Sequence, residues 1–197
     1  MGHRAGRRRV LRAGARRHPR PVTGAARRLL PSPTARLRFR EMREDDLDQI
    51  AEMLGDPEVM AFYPAVKTRA ESAEWIARMQ ERYREHGHGL WVIETHDGEF
   101  IGDCGLTWQS ANDAPVLEVG YHVRRASQGR GYATEAARAC VELVARELAP
   151  TLLTAIIHPA NAASRGVAEN LGMTHIDDDR AHPWIVRTVM GMQVAPA

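Results

Sequence analysis

Two glycines within Gln128-Gly129-Arg130-Gly131-Tyr132-Ala133-Thr134-Glu135-Ala136 mark the stretch of this chain best suited to chemistry. They follow a strand-like run, Leu117-Glu118-Val119-Gly120-Tyr121-His122-Val123, and open an amphipathic helix. A glycine-rich turn at a helix start gathers unpaired N–H groups at the positive end of the helix dipole. That arrangement suits a phosphate or pyrophosphate, and a glycine lets the backbone approach the anion with no Cβ in the way. A Walker loop would need a lysine after its last glycine, and the single lysine of the chain is Lys67. The dinucleotide pattern Gly-x-Gly-x-x-Gly is absent as well. On spacing alone, the same turn also describes a plain strand-to-helix connector.

A second group of residues follows in His158-Pro159-Ala160-Asn161-Ala162-Ala163-Ser164 and Val167-Ala168-Glu169-Asn170-Leu171-Gly172-Met173. Together with Glu118-Val119-Gly120-Tyr121 and Gln128 through Ala136, it resembles the GCN5-related N-acetyltransferase (GNAT) superfamily. The branch it is most similar to acetylates the N-termini of ribosomal proteins and includes many small-amine relatives. The resemblance runs from roughly Ala35 to Val194. It implies a mixed, mostly antiparallel central sheet with helices on both faces and a central strand pair that splays to admit acetyl-CoA. The pyrophosphate would then meet Gly129 through Ala133, with Gln128, Arg130 and Thr134 beside it. The pantetheine arm would run along Tyr121, His122 and Val123 in a strand-like pairing, and Asn161 and Ser164 would reach it from the following helix. No metal is implied.

The implied reaction is direct attack of a neutral amine on the thioester carbonyl, giving an acetylated protein N-terminus or small molecule. An α-amine, with pKa about 8, loses its proton more readily than a lysine at about 10.4. The site needs a base, a donor for the developing oxyanion and a donor for the departing thiolate. Glu118 is the candidate base, with His122 as a second because imidazole titrates near neutrality. The Val123 N–H suits the oxyanion, and Ser164 is the candidate acid near sulfur. Tyr63, Trp75 and Trp108 are expected to wall the acceptor side.

Alternating elements must position these groups. Leu37–Arg40 alternates as a strand does, and Leu47, Ile50, Ala51 and Leu54 have helical spacing that stops at Gly55. Thr68-Arg69-Ala70-Glu71 is a capping box for a helix continuing through Ile76, Met79 and Tyr83. Leu90–Glu94 and Phe100–Leu106 read as strands joined by an Asp97-Gly98 hairpin. The helix after Gly131 presents Ala133, Ala136, Ala137, Cys140, Val144 and Leu148 on one side. Leu152–Ile157 reads as a buried strand, Asn161 caps the next helix and Gly172 ends it. Trp184–Met192 reads as the last strand. The expected class is therefore α/β (α+β), with a single domain over residues 34–197.

The chain has 197 residues, enough for one well-cored domain. No apolar run reaches membrane-spanning length. Neither Cys104 nor Cys140 has metal or redox spacing, so both read as structural thiols in a reducing, cytoplasmic setting. Residues 1–40 hold 13 arginines and no acid, which leaves 14 basic against 25 acidic side chains in the rest. The body is therefore acidic, and the arm of residues 1–33 is basic and expected to be disordered. Such an arm could touch nucleic acid weakly, or belong to a targeting peptide or an over-extended start. Two other readings accompany catalysis: a non-catalytic acyl-CoA-binding module, and a ribosome- or RNA-associated protein acting through the arm. The expected assembly is a monomer or homodimer.

Overall fold

The computed structural model describes residues 26–149 and 151–197. Most of the arm, residues 1–25, lies outside the described residues, and so do the expectations placed on it. From Ala26 onward the chain is bonded to the body. The Ala26 N–H donates to the Arg84 carbonyl at 3.3 Å, the Leu29 N–H to that of Gly87 at 2.7 Å, and Arg27 pairs with Glu147 at 2.9 Å.

Seven strands form one open sheet in the order β1-β2-β3-β4-β5-β7-β6. They are β1 (Leu37–Arg40), β2 (Leu90–Thr95), β3 (Phe100–Ala111), β4 (Ala114–Val123), β5 (Thr151–Ile157), β6 (Thr174–Asp179) and β7 (Arg187–Val194). Among the described residues, four α-helices pack against the sheet: α1 (Leu47–Gly55), α2 (Arg69–His86), α3 (Tyr132–Glu147) and α4 (Ala162–Asn170). The expected class, an α/β domain around a mostly antiparallel sheet, is the one observed. Local rules account for much of it. The Thr68–Glu71 capping box makes both of its bonds at the start of α2. Asn161 caps α4 by accepting from the Ser164 N–H, and Gly172, at φ +88°, follows the helix in the left-handed region.

The sheet breaks its own pattern once. Every neighbouring pair is antiparallel except β4 and β5, which pair only at Leu117↔Leu153 and Glu118↔Thr154. Beyond that point Val119–Val123 and Ala155–Ile157 are not paired with each other, and a gap opens in mid-sheet. The Ile156 N–H at the fork donates to the Glu118 side chain at 3.1 Å. A carboxylate thus replaces a ladder carbonyl at a backbone group that would be costly to leave unbonded.

Alternation along β4 sets the two faces. Tyr121 reaches Ser164 on α4, and its partner across the ladder, Cys104, sits with Sγ 3.8 Å from that of Cys140 on α3. So α3 and α4 share one face. His122 and its ladder partner Asp103 point to the other face, where Trp75 of α2 lies edge-on to the imidazole with ring centroids 5.9 Å apart. Two elements differ from the sequence reading. β6 was not anticipated, and the last strand begins at Arg187 rather than Trp184, which stands out in solvent.

Candidate active site

The gap opens into a cleft of about 890 Å³. On the α3/α4 side its walls are Tyr121, Val123, Gln128, Gly129, Gly131, Tyr132, Ala133, Thr134, Asn161 and Ser164. On the other side they are Glu58, Phe62, Tyr63, Pro64 and His122, with His158, His182, Trp184, Ile185 and Arg187 across the mouth.

The glycine turn is built to expose N–H groups. Gly129 and Gly131 sit at φ +70° and +80°, a region that disfavours any side chain, and Gly131 at the N-cap supplies no side-chain bond to the first turn of α3. Arg36 braces the turn from behind. Its guanidinium donates to the Arg130 carbonyl at 3.0 Å, pairs with Glu135 at 2.5 Å, and lies 4.6 Å from the centre of the Tyr132 ring. Thr34 donates to the same Glu135 carboxylate at 2.6 Å. These bonds hold the Glu135 carboxyl below its ordinary pKa, outweighing the burial that acts against them. Arg130 stands over the Tyr132 ring rather than in the cleft wall. Gln128 donates to the Val123 carbonyl at 3.0 Å, tying the turn to the end of β4.

Next to the gap, the Tyr121 hydroxyl lies 3.0 Å from both the Oγ and the carbonyl oxygen of Ser164. Burial pushes the Tyr121 pKa upward, and the Ser164 bond only partly offsets this, so the phenol stays protonated. Sequence reasoning placed Tyr121 along the pantetheine; the structure also has its hydroxyl donating to the Ser164 carbonyl.

On the opposite face three side chains form a line. Asp103, fully buried, accepts at Oδ1 from His122 Nδ1 at 2.8 Å and from the His122 backbone N–H at 3.1 Å. A carboxylate only accepts, so Nδ1 carries the ring proton, and Nε2 of the neutral ring accepts from the Tyr63 hydroxyl at 2.8 Å. Oδ2 of Asp103 is buried without a partner among the described residues. Burial works against the imidazolium, but the charge of Asp103 and its hydrogen bond outweigh it, and the His122 pKa lies above its ordinary value.

Glu118, the expected base, sits at the fork and outside the cleft lining. Part of its surface meets solvent, yet it lies deep among packed side chains. Burial raises its pKa to about 7, with the Ile156 N–H, Arg187, His122 and Arg82 pulling the other way. Trp75 packs behind His122 and carries Lys67 and Arg78 over its ring. Trp108 does not belong to the acceptor wall. It is the ladder partner of Leu117, and alternation turns it to the α3/α4 face, where it packs on the core. Asp103 was missed because it reads as an interruption in an apolar strand. The signal that finds it is the Asn112-Asp113 turn, with both residues at positive φ, which sets Asp103 opposite His122 in the β3–β4 register.

Residues 36–174 match the model of the acetyltransferase (GNAT) domain, and the chain belongs to that family. It is 38% identical over 142 residues to the Bacillus subtilis (strain 168) protein YkkB, covering 71% of this chain and 83% of that one. In fold it is similar to RimL, a ribosomal alpha-N-protein acetyltransferase solved with coenzyme A, at TM-score 0.72 and 13% identity over 85% and 99% of the two chains. It is also similar to the spermidine N-acetyltransferase of Vibrio cholerae, solved with CoA and spermine, at TM-score 0.66 and 15% identity over 82% and 97%. The same fold thus carries enzymes named for a protein N-terminus and for a polyamine.

Proposed function

We propose that the protein transfers the acetyl group of acetyl-CoA directly to a primary amine, and that this amine sits on an apolar or aromatic body. The observation that carries the first part is the continuity of the cleft. An uncapped helix start with two left-handed glycines lies on one side of the sheet, and buried titratable groups lie on the other, joined through the gap that opens after Glu118↔Thr154. The N–H groups of Gly129–Ala133 would hold the pyrophosphate. The Val123 N–H, with no parallel neighbour at the gap, would face the oxyanion. Tyr121 and Ser164 would return a proton to the CoA thiolate.

The mouth supports the second part. Phe62, Tyr63, His158, Trp184 and Ile185 all line it, the Phe62 and His158 rings lie 5.2 Å apart, and Trp184 is 73% exposed. Glu58 is the one carboxylate among the described lining residues, and it is paired with Arg125 at 2.8 Å. A polyamine or aminoglycoside needs several anionic partners, whereas an apolar body finds aromatic walls.

Released CoA measured across a panel of an arylalkylamine, spermidine, an aminoglycoside and peptides with free N-termini tests both parts. The expected result is turnover, at least tenfold better in kcat/KM for the arylalkylamine than for spermidine. CoA binding with no turnover on any amine would refute transfer, and preference for spermidine would refute the apolar acceptor.

A further inference from the structure

Resting on the acetyl-transfer reading, we infer that Tyr63, His122 and Asp103 form a relay that removes the amine proton, with Tyr63 the catalytic residue that meets the amine and Asp103 a positioning residue. The line from Asp103 Oδ1 to Nδ1 and from Nε2 to the Tyr63 hydroxyl has 2.8 Å at each link and ends in the cleft. Tyr63 is half exposed as a residue and lines the cleft while its hydroxyl turns inward to His122, so an amine seated against the acceptor wall would meet that hydroxyl where the cleft borders His122.

The burial of Asp103 is what a relay requires. A fully buried carboxylate is costly, and here one oxygen has no partner among the described residues. An asparagine could accept from Nδ1–H with no charge to bury. The charge acquires a purpose when His122 becomes an imidazolium, which it stabilises directly. Glu118 is placed differently. It stands behind the lining, and one of its oxygens is committed to the Ile156 N–H.

The step balances as follows. The amine nitrogen bonds the acetyl carbon while the carbonyl electrons move to oxygen. The nitrogen's proton passes to the Tyr63 oxygen as the Tyr63 proton passes to Nε2. The C–S bond then breaks and the thiolate takes a proton on the Tyr121–Ser164 side. His122 later releases its proton to solvent. The charged or titratable groups facing His122 are Asp103 from β3, Glu118 from its own strand, Lys67 from the segment before α2, and Tyr63. Neutral His122 is the working form, so kcat rises with pH.

The test compares kcat–pH profiles and acetyl-CoA affinity for wild type, Tyr63→Phe, His122→Gln, Asp103→Asn and Glu118→Gln. Tyr63→Phe removes one hydroxyl and keeps the ring, and thermal melting checks that it stays folded. It should lose at least tenfold in kcat at unchanged acetyl-CoA affinity. His122→Gln should lose roughly 10²–10⁴ and its rising limb, and added imidazole should restore part of the rate. Asp103→Asn should shift the limb to lower pH. Glu118→Gln should lose less than tenfold and keep the limb. The relay is wrong if Tyr63→Phe and His122→Gln keep wild-type rate and profile, or if Glu118→Gln alone abolishes the limb. A wild-type protein that binds CoA but acetylates nothing removes the transfer reading and the relay with it.

Discussion

The Tyr121 hydroxyl sits 3.0 Å from the Oγ of Ser164 and equally close to that residue's carbonyl oxygen. The tyrosine therefore has a second acceptor, and the serine is the more dispensable partner. Ser164→Ala should lower kcat by less than about tenfold, because the phenol keeps its place and solvent can also protonate a thiolate. Tyr121→Phe should cost about 10–100-fold, at or just below the lower bound of what a general acid contributes. Steady-state kcat at saturating acetyl-CoA separates the two.

A side chain at either glycine of the turn should weaken CoA binding. Gly131→Val imposes φ +80° on a β-branched residue and sets its methyls beside Arg36. Calorimetric affinity for CoA should fall at least tenfold, or about 1.4 kcal/mol. Unchanged affinity in a folded variant would dissociate the turn from the pyrophosphate.

Glu118 should leave a mark on stability rather than on rate. Its carboxyl moves from an ordinary 4.5 to about 7 in the folded protein, so the native state binds more protons across that window. Stability contributed by the neutral form is complete below 4.5 and is lost as pH rises through 7. Relative to wild type, Glu118→Gln should gain about 1–3 kcal/mol between pH 4.5 and 7.5 in denaturant titrations.

The Glu135 carboxylate joins the segment before β1 to the first turn of α3, taking bonds from Thr34 and Arg36. Its depressed pKa places this stability above its unfolded value, to be lost as pH falls through the folded one. Glu135→Gln should cost about 1 kcal/mol near neutrality, flatten the acid side of the stability curve, and raise the CoA dissociation constant a few-fold by loosening the Arg130 carbonyl. A variant matching wild type in all three would make the clasp incidental.

A chain beginning at Ala26 and one beginning at Ser32 should differ. The second lacks the donors to Arg84 and Gly87 and the Arg27–Glu147 pair. Each backbone bond contributes about 0.5–1.5 kcal/mol, and a matching drop in denaturation free energy is expected with acetylation rate preserved. Equal stabilities would show these contacts to be idle.

Much of the fold was legible because local signals carried it. Thr68, Asn161 and Gly172 announced the ends of α2 and α4, and the two-glycine turn announced the start of α3. β6 was not legible. Thr174-His175-Ile176-Asp177-Asp178-Asp179 has the composition of a loop, and it becomes a strand only because β7 pairs with it and Arg187 and Asn112 satisfy the buried Asp179. In the site, most residues named from β4 and the glycine turn, Glu118 and Arg130 excepted, lie around the cleft because short-range order placed them. Asp103 becomes legible only once the Asn112-Asp113 turn is used to set the β3–β4 register, and the role proposed for Tyr63 depends on a long loop meeting β4, which spacing along one segment does not encode. Trp108 was misplaced for the same reason, since its face follows from the β3–β4 ladder.

Cys104 and Cys140 are each fully buried, and the chain has no other cysteine. A thiol-reactive dye therefore finds no accessible sulfur on the folded protein. In a reaction mixture its fast signal counts CoA molecules released, while a slow signal of two thiols per chain counts molecules that have opened. A single cuvette thus reads turnover and loss of the native state side by side, and an inactive variant can be told from an unfolded one without a second instrument.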